Sequence, residues 1–173
     1  EGRFLVLTSK QYKWNIFAGT LGKGVFRTTD DGANWNQLNT GLTDSFVVAL
    51  VLNSSGHLFA GTSLGVFRST NNGGNWIQLD SGLTNQSIAS LAINSSNRIF
   101  AGTVMVELFY PPIMAHRGLK PGDGFDVTSI VINSSGHILA GTWRNGIFRS
   151  TDSAKTWTAV NNGLPTKPYL GYP

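Results

Sequence analysis

Few carboxylates in this chain are placed where they could act as a catalytic pair. The 173 residues include 9 Asp and Glu, and glycosidic hydrolysis needs two acids on either side of one bond. Asp30 and Asp152 occupy the same position of a repeated motif, and Asp44 lies between repeats. Because repeats hold equivalent residues apart, we predict that the chain contains no catalytic residue.

Basic side chains and histidines also recur once per repeat. Arg27, Arg68 and Arg149 share one position, and His57 and His137 share another. We interpret the arginines as solvent-facing strand residues, with anion binding as the alternative. The chain has no Cys and its histidines are held apart, so we predict no metal site and no cofactor.

A sequence motif that contains the repeated Asp and Arg residues occurs three times. It reads Phe-Arg-(Ser/Thr)-Thr-(Asp/Asn)-x-(Gly/Ala)-x-x-Trp at 26–35, 67–76 and 148–157. Upstream of it, (Phe/Leu)-Ala-Gly-Thr occurs four times at intervals of about 40 residues. Its last residues are Thr20, Thr62, Thr103 and Thr142. Tandem units of this length must stack on one another to bury their apolar faces.

Each repeat predicts four short antiparallel strands. Apolar residues alternate with small or polar ones at period two in 47–52 and 88–93, and an Asn-Ser-Ser turn follows each run. We predict an all-β fold, a β-propeller of four-stranded antiparallel blades with about four repeats of roughly 41 residues; a β-solenoid is the alternative. The single predicted domain spans 1–173, with blades at approximately 4–40, 46–81, 87–122 and 127–162.

The composition indicates an ordered chain and does not favour a nucleic acid or a membrane as its partner. Hydrophobic residues make up 40% and charged residues 13%, and the net charge is +4. The basic residues are spread along the chain, so no nucleic-acid partner is expected. No apolar run reaches the length of a membrane span, and the chain shows no signal peptide, so no membrane partner is expected either.

The repeated motif resembles the Asp-box, also called the BNR or sialidase-type repeat, with the pattern (Ser/Thr)-x-Asp-x-Gly-x-x-Trp. Sialidase, xyloglucanase, sortilin-like and photosystem-assembly-factor-like propellers are similar. The resemblance implies a β-turn between strands three and four, whose Asp caps backbone amides and whose Trp packs between blades. The structural Asp-box residues are Thr28, Asp30, Gly32, Trp35, Ser69, Asn71, Gly73, Trp76, Ser150, Asp152 and Trp157. Asn71 and Ala154 depart from the pattern, so we expect looser turns there.

The same resemblance implies a ligand face at the end opposite the motifs. Loops between strands two and three and the linkers between blades would form it, and they carry the candidate ligand-binding residues Trp143, Arg144 and Lys23. An exposed Trp beside a hydrogen-bond donor suits stacking on a sugar, whereas packing of Trp143 on a neighbouring blade is the alternative. A glycan or a protein is the expected partner on this face, in an extracellular or periplasmic location.

The function predicted from these features is a non-enzymatic binding or scaffold module whose ligand is unknown. One alternative is a fragment of an Asp-box glycoside hydrolase, sialidase-like or xyloglucanase-like, with catalytic residues elsewhere; a second is a glycan-binding lectin. Four blades are the lower limit for a propeller, so they either close alone or belong to a larger ring. A homodimer is one way to complete such a ring.

Two stretches lack the repeat where it is due, at 1–14 and 104–120. Read from the third base of each codon, 110–115 permits Ser-Thr-Asp-Asn-Gly, and Met114 followed by Ala115 forces the Gly. In the other shifted frame, 11–14 permits Asn-Thr-Asn and forces a Gly, as in the turn at 53–56. We predict that both stretches are out-of-frame versions of the repeat.

Overall fold

A computed structural model describes residues 4–8, 15–79, 87–104, 108–110, 114–115, 126–143 and 145–165. Every regular element in these ranges is a β-strand, and the sixteen strands form four antiparallel sheets of four strands each, in chain order. The predicted all-β architecture with four-stranded antiparallel units is therefore confirmed.

The strands of each sheet fall within one repeat. The first sheet comprises β1 (Phe4–Thr8), β2 (Ile16–Thr20), β3 (Gly24–Thr28) and β4 (Asn36–Gln37). The second comprises β5 (Val47–Leu52), β6 (Leu58–Thr62), β7 (Gly65–Ser69) and β8 (Ile77–Gln78). The third comprises β9 (Ile88–Ile93), β10 (Ile99–Thr103), β11 (Leu108–Tyr110) and β12 (Met114–Ala115). The fourth comprises β13 (Val127–Ile132), β14 (Ile138–Thr142), β15 (Ile147–Ser150) and β16 (Thr158–Ala159).

The two stretches predicted to be out of frame lie mostly outside the described residues. Of the first stretch only 4–8 is described, and of the second only 104, 108–110 and 114–115. The third sheet nevertheless has four strands, because β11 pairs with β10 and β12 pairs with β11.

Strand pairing repeats from sheet to sheet in one register. The Ala of each Ala-Gly-Thr segment lies opposite the Phe that precedes the repeated Arg, as Ala18 does with Phe26 and Ala60 with Phe67. Side chains alternate between the two faces of a strand, so this register sends equivalent residues of every repeat to the same face.

The hydrophobic core lies between successive sheets. Three clusters of buried residues fill the boundaries between the first and second, second and third, and third and fourth sheets. Their largest buried residues include Phe17 and Phe67 in the first, Phe59 and Ile88 in the second, and Phe100 in the third. Each sheet thus buries its faces on its neighbours, as a tandem repeat requires.

The first strand of each later sheet makes most of these contacts. Strand β5 packs on β1 and β2, β9 packs on β5 and β6, and β13 packs on β9 and β10. The described strands of the first and fourth sheets do not pack on each other in this way. Among the described strands, the strong contacts between sheets thus run in chain order.

Candidate functional site

The antiparallel order gives each sheet two distinct ends. The turn end carries the connection from the first to the second strand and the repeated motif between the third and fourth strands. The linker end carries the loop between the second and third strands and the linker to the next sheet. The residues named from the sequence lie at these two ends, the motif residues at the turn end and Lys23 and Trp143 at the linker end.

At the turn end, a hydrogen-bond network closes the first copy of the motif. The Thr28 hydroxyl donates to Asp30 Oδ1 at 2.6 Å and accepts the Gly32 N–H at 3.0 Å. Asp30 also accepts the backbone N–H of Asn34 at 2.9 Å and its side-chain amide at 2.7 Å. The hydrogen bonds from Thr28 and Asn34 lower the pKa of Asp30 to about 2.

The last copy uses its acid in the same way. Asp152 accepts hydrogen bonds from the Thr156 hydroxyl at 2.6 Å and from the Ser150 hydroxyl at 2.8 Å. Hydrogen bonds from Thr156 and then from Ser150 lower the pKa of Asp152 to about 2. A carboxyl group with such a pKa is ionised at neutral pH and has no proton to give, so neither acid suits general-acid catalysis.

The two departures from the motif do not loosen their turns, contrary to our expectation. Asn71 accepts hydrogen bonds from the Ser69 hydroxyl at 2.9 Å and from the Asn75 N–H at 2.8 Å, the contacts that Asp makes elsewhere. Ala154 is buried and adopts a left-handed φ of 69°, and its N–H donates to Ser150 Oγ at 2.9 Å. An amide oxygen replaces the carboxylate as an acceptor, and the turn tolerates a methyl group at strained φ.

The tryptophans of the motif differ in burial. Trp76 is 3% exposed and its indole N–H donates to the carbonyl of Leu38 in the preceding sheet at 2.8 Å. Trp157 packs against the core cluster between the third and fourth sheets. Trp35, in the first sheet, is 41% exposed. Trp76 and Trp157 thus pack between sheets as the resemblance implied, whereas no described sheet covers Trp35.

At the linker end, several large apolar side chains are exposed. They are Phe46, Leu64, Val104, Trp143 and Leu164, which come from the second, third and fourth repeats. Trp143 is 66% exposed, so its side chain is not buried on a neighbouring sheet. We call this group the linker-end apolar set.

Asp44 organises part of this end, a role that the sequence reasoning missed. Its carboxylate accepts the Phe46 N–H at 2.8 Å, the Leu64 N–H at 3.1 Å and the Ser63 hydroxyl at 2.6 Å. Partial burial acts to raise the pKa of Asp44, but the hydrogen bonds from Ser63 and Phe46 outweigh it, and the pKa is lowered. One carboxylate therefore holds two exposed apolar residues, Phe46 and Leu64, close together.

The remaining candidates are placed as follows. Lys23 is exposed at the linker end, and its carbonyl accepts hydrogen bonds from Gln37 and Asn39 at 2.9 Å each. Lys23 belongs to the first sheet and Trp143 to the fourth, and Arg144 lies outside the described residues. Sequence reasoning selected Trp143 but not Val104, although both directly follow Ala-Gly-Thr.

The repeated arginines and histidines do not converge in the part of the chain that is described. Arg27 and Arg68 are half-buried on equivalent strands, with an Nε atom that makes no hydrogen bond, whereas Arg149 is exposed. Within those same ranges, no three His, Asp or Glu side chains come close enough to hold a metal ion. No helix there is long and apolar enough to cross a membrane.

Comparison with known proteins gives structural likeness alone. No family model matches the chain, and no curated protein matches it. An ancestral GH74 enzyme superposes with a TM-score of 0.75 at 20% identity, over 90% of this chain and 23% of that one. YCF48 bound to D1 peptide superposes with a TM-score of 0.64 at 14% identity, over 87% of this chain and 52% of that one.

An extracellular domain is also similar. The extracellular domain of the hybrid two-component system BT3049 from B. thetaiotaomicron superposes with a TM-score of 0.71 at 20% identity. The alignment covers 97% of this chain and 24% of that one. The chain has the fold of a β-propeller segment. Its four sheets are blades, and they span only a quarter to a half of the length of these propeller chains.

Proposed function

We propose that this propeller segment is a non-enzymatic binding or scaffold module whose blades carry Asp-box turns between their third and fourth strands. Its ligand would bind at the linker end, opposite the boxes. The observation that carries the proposal is the linker-end apolar set: five exposed large apolar side chains, each in a loop or linker at the same end of its own sheet. Exposed apolar groups mark interaction sites where they lie close together, as Phe46 and Leu64 do around Asp44.

The box geometry supports the structural half of this proposal. In each described box, the hydroxyl residue and the Asp or Asn form their hydrogen bonds within the turn, as Thr28 and Asp30 do. The acids Asp30 and Asp152, with pKa values of about 2, then act as permanent hydrogen-bond acceptors. Groups that are already hydrogen-bonded within the turn stabilise the blade and leave few hydrogen-bonding sites for a substrate.

A protein segment is the ligand class that the linker-end apolar set favours. Leu64, Val104 and Leu164 are aliphatic, and only Phe46 and Trp143 offer an aromatic face. Aliphatic side chains gain by burying apolar groups of a partner, whereas sugars mainly require aromatic faces together with hydrogen-bond donors and acceptors. The structure of YCF48 was determined with a bound peptide, which gives this choice a parallel within the same fold.

A glycan-binding lectin is the second candidate, and Trp143 favours it. Its indole is 66% exposed, a geometry suited to stacking on the apolar face of a sugar ring. The third candidate is a fragment of a glycoside hydrolase, since a GH74 enzyme shares the fold and this chain spans 23% of that enzyme. An extracellular location fits all three candidates, and one similar structure is itself an extracellular domain.

Binding measurements on two variants test the proposal. The chain would be screened against a peptide array and a glycan array, and hits would be titrated by calorimetry. We expect Trp143→Ala to weaken binding of any peptide hit at least about tenfold, because an anchoring aromatic side chain is lost. Ile77→Ala, which removes an equally exposed apolar side chain on the edge strand of the second blade, serves as the matched control.

The possible outcomes separate the candidates. Peptide hits that depend on Trp143 and not on Ile77 support the protein-binding module, whereas glycan hits with that dependence support the lectin. Hydrolysis of sialosides or xyloglucan by the purified chain would overturn the non-enzymatic proposal. If Trp143→Ala and Ile77→Ala both bind the hits with unchanged affinity, the linker end is excluded as the binding surface.

A further inference from the structure

The turn in the second copy of the repeated motif contains a chemically labile pair of residues. One position of this turn has a left-handed φ in all three described copies, 58° at Asp31, 56° at Asn72 and 62° at Ser153. Asn and Asp adopt this conformation more readily than other residues with a side chain. Asparagine is thermolabile, most of all before glycine, whose backbone nitrogen no side chain shields. The turn thus places a reactive Asn directly before Gly73.

The reaction open to this pair is loss of ammonia. The Gly73 backbone nitrogen attacks Cγ of Asn72, and the bond between Cγ and the side-chain nitrogen breaks. The proton lost by Gly73 leaves with that nitrogen as ammonia, and a five-membered imide ring remains. Water then opens the ring at one of its two carbonyl carbons, which leaves aspartate or isoaspartate at position 72. The Asn72 side chain is exposed, so water reaches it and no other reactant is needed.

The folded turn engages the attacking nitrogen in a hydrogen bond. The Gly73 N–H donates to Ser69 Oγ at 2.9 Å, and this hydrogen bond is buried. Ser69 is itself 1% exposed, and its hydroxyl donates to Asn71 Oδ1 at 2.9 Å. The nitrogen of Gly73 must release its proton to attack Asn72, and a buried hydrogen bond opposes that release.

Packing on the first blade restrains Gly73 as well. A Cβ atom placed on Gly73 would lie 2.7 Å from Leu38 Cδ1, so the main chain of Gly73 lies directly against this side chain. The Trp76 indole N–H donates to the carbonyl of the same Leu38 at 2.8 Å. To close the imide ring, the peptide bond between Asn72 and Gly73 must turn away from both Ser69 and Leu38. The reaction therefore requires the turn to open.

We propose that Asn72 is a latent deamidation site, whose reaction is slowed in the folded chain by the Ser69 hydroxyl and by contact with the preceding blade. It reacts when the second motif turn opens. Isoaspartate lengthens the main chain by one carbon atom, so Gly73 no longer reaches Ser69 and Leu38 in register. Opening of the boundary between the first and second blades can thus be fixed as a permanent change.

The chain supplies its own controls. Two further Asn-Gly pairs lie outside the motif, at 145–146 and 162–163. The fourth blade has the same hydrogen bond, from the Ala154 N–H to Ser150 Oγ at 2.9 Å, but Ser153 stands where the second blade has Asn72. Ser150→Ala is therefore a matched control for Ser69→Ala.

Peptide mapping by mass spectrometry measures deamidation of each pair in the full chain, incubated in mildly alkaline buffer with and without guanidinium chloride. We expect Asn72 to react at least about tenfold more slowly in the folded chain than in the unfolded chain, because the turn must first open. Ser69→Ala should raise the folded-state rate roughly fivefold by removing one hydrogen bond. Ser69→Thr should keep the rate low, since Thr28 accepts the Gly32 N–H at 3.0 Å in the first blade.

The controls decide whether the effect is local. Ser150→Ala should leave the rate at Asn72 unchanged, and Ser69→Ala should leave the rates at Asn145 and Asn162 unchanged. Equal rates at Asn72 in the folded and the unfolded chain, or an unchanged rate in Ser69→Ala, would overturn the proposal. Equal acceleration by both serine variants, or of all three pairs in Ser69→Ala, would also overturn it, because general stability and not the Ser69 hydrogen bond would then set the rate.

Discussion

The indole N–H of Trp76 donates a hydrogen bond to the carbonyl oxygen of Leu38, 2.8 Å away, across the boundary between the second and first blades. The box that contains Trp76 is a local turn, yet its last residue reaches the blade before it. The first two blades are thus joined by a directed hydrogen bond in addition to apolar packing, which limits how far they can slide on each other.

Removing this side chain should destabilise the fold. Trp76→Ala leaves a cavity at the boundary and should lower the free energy of unfolding by about 3–5 kcal/mol, whereas Trp76→Phe should cost about 1–3 kcal/mol by leaving the Leu38 carbonyl unpaired. Chemical denaturation followed by circular dichroism measures both. Trp35→Phe, at the exposed equivalent, is the control and should change stability by less than about 0.5 kcal/mol. Similar losses at Trp35 and Trp76 would contradict this account of the boundary.

Acid should weaken the first and last boxes. The pKa values of Asp30 and Asp152 fall from 3.8 to about 2 in the folded chain, so both acids stabilise the fold above the unfolded value. That contribution is lost as the pH falls through the folded value, between about pH 4 and pH 2. NMR titration of the side-chain carboxyl carbons should show both low values directly.

A double variant checks the acid effect on stability. Asp30→Asn with Asp152→Asn should flatten the pH dependence of unfolding in this window, because an amide oxygen accepts the hydrogen bonds made to Oδ1 without titrating, as Asn71 does in the second box. The hydrogen bonds that Asn34 and Thr156 donate to Oδ2 are lost in the double variant. An unchanged pH dependence in the double variant would show that other carboxylates control acid unfolding.

Loss of Asp44 should loosen the linker end while leaving the blades intact. Asp44→Ala removes the acceptor for the N–H groups of Phe46 and Leu64 and for the Ser63 hydroxyl. We expect about 1 kcal/mol less stability and faster hydrogen exchange at Phe46 and Leu64. Ser63→Ala removes one of the three hydrogen bonds and should have a smaller effect. Unchanged exchange at both amides in Asp44→Ala would exclude Asp44 as the organiser of this end.

Protein and DNA chemistry test the reading-frame prediction. Intact mass and peptide mapping across 104–120 should detect a box containing Ser-Thr-(Asp/Asn)-Asn-Gly in place of 110–115 if only the recorded sequence is shifted. Peptides that match the stated residues would exclude a recording error. The shift would then have to be found in the gene, as a one-base change on each side of the stretch, and an intact reading frame in the DNA would end the hypothesis.

Much of the fold could be predicted from the sequence because its determinants are local. Period-two alternation in 47–52 and the turn residues at 53–56 specify strands and their connection whatever lies around them. The repetition of Arg27, Arg68 and Arg149 showed without coordinates that these residues are spread over separate blades, and the structure places them on separate strands.

The sequence alone could not decide which side chains of the candidate site are covered. Trp35 and Trp76 occupy one motif position, and Gly61 and Gly141 occupy another, yet one member of each pair is packed and the other is open. Burial depends on atoms supplied by a neighbouring blade, which are distant in sequence. Local chemistry therefore determined the blade, whereas only the tertiary structure decided that Trp143 stands in solvent and that Asp44 holds Phe46 beside Leu64.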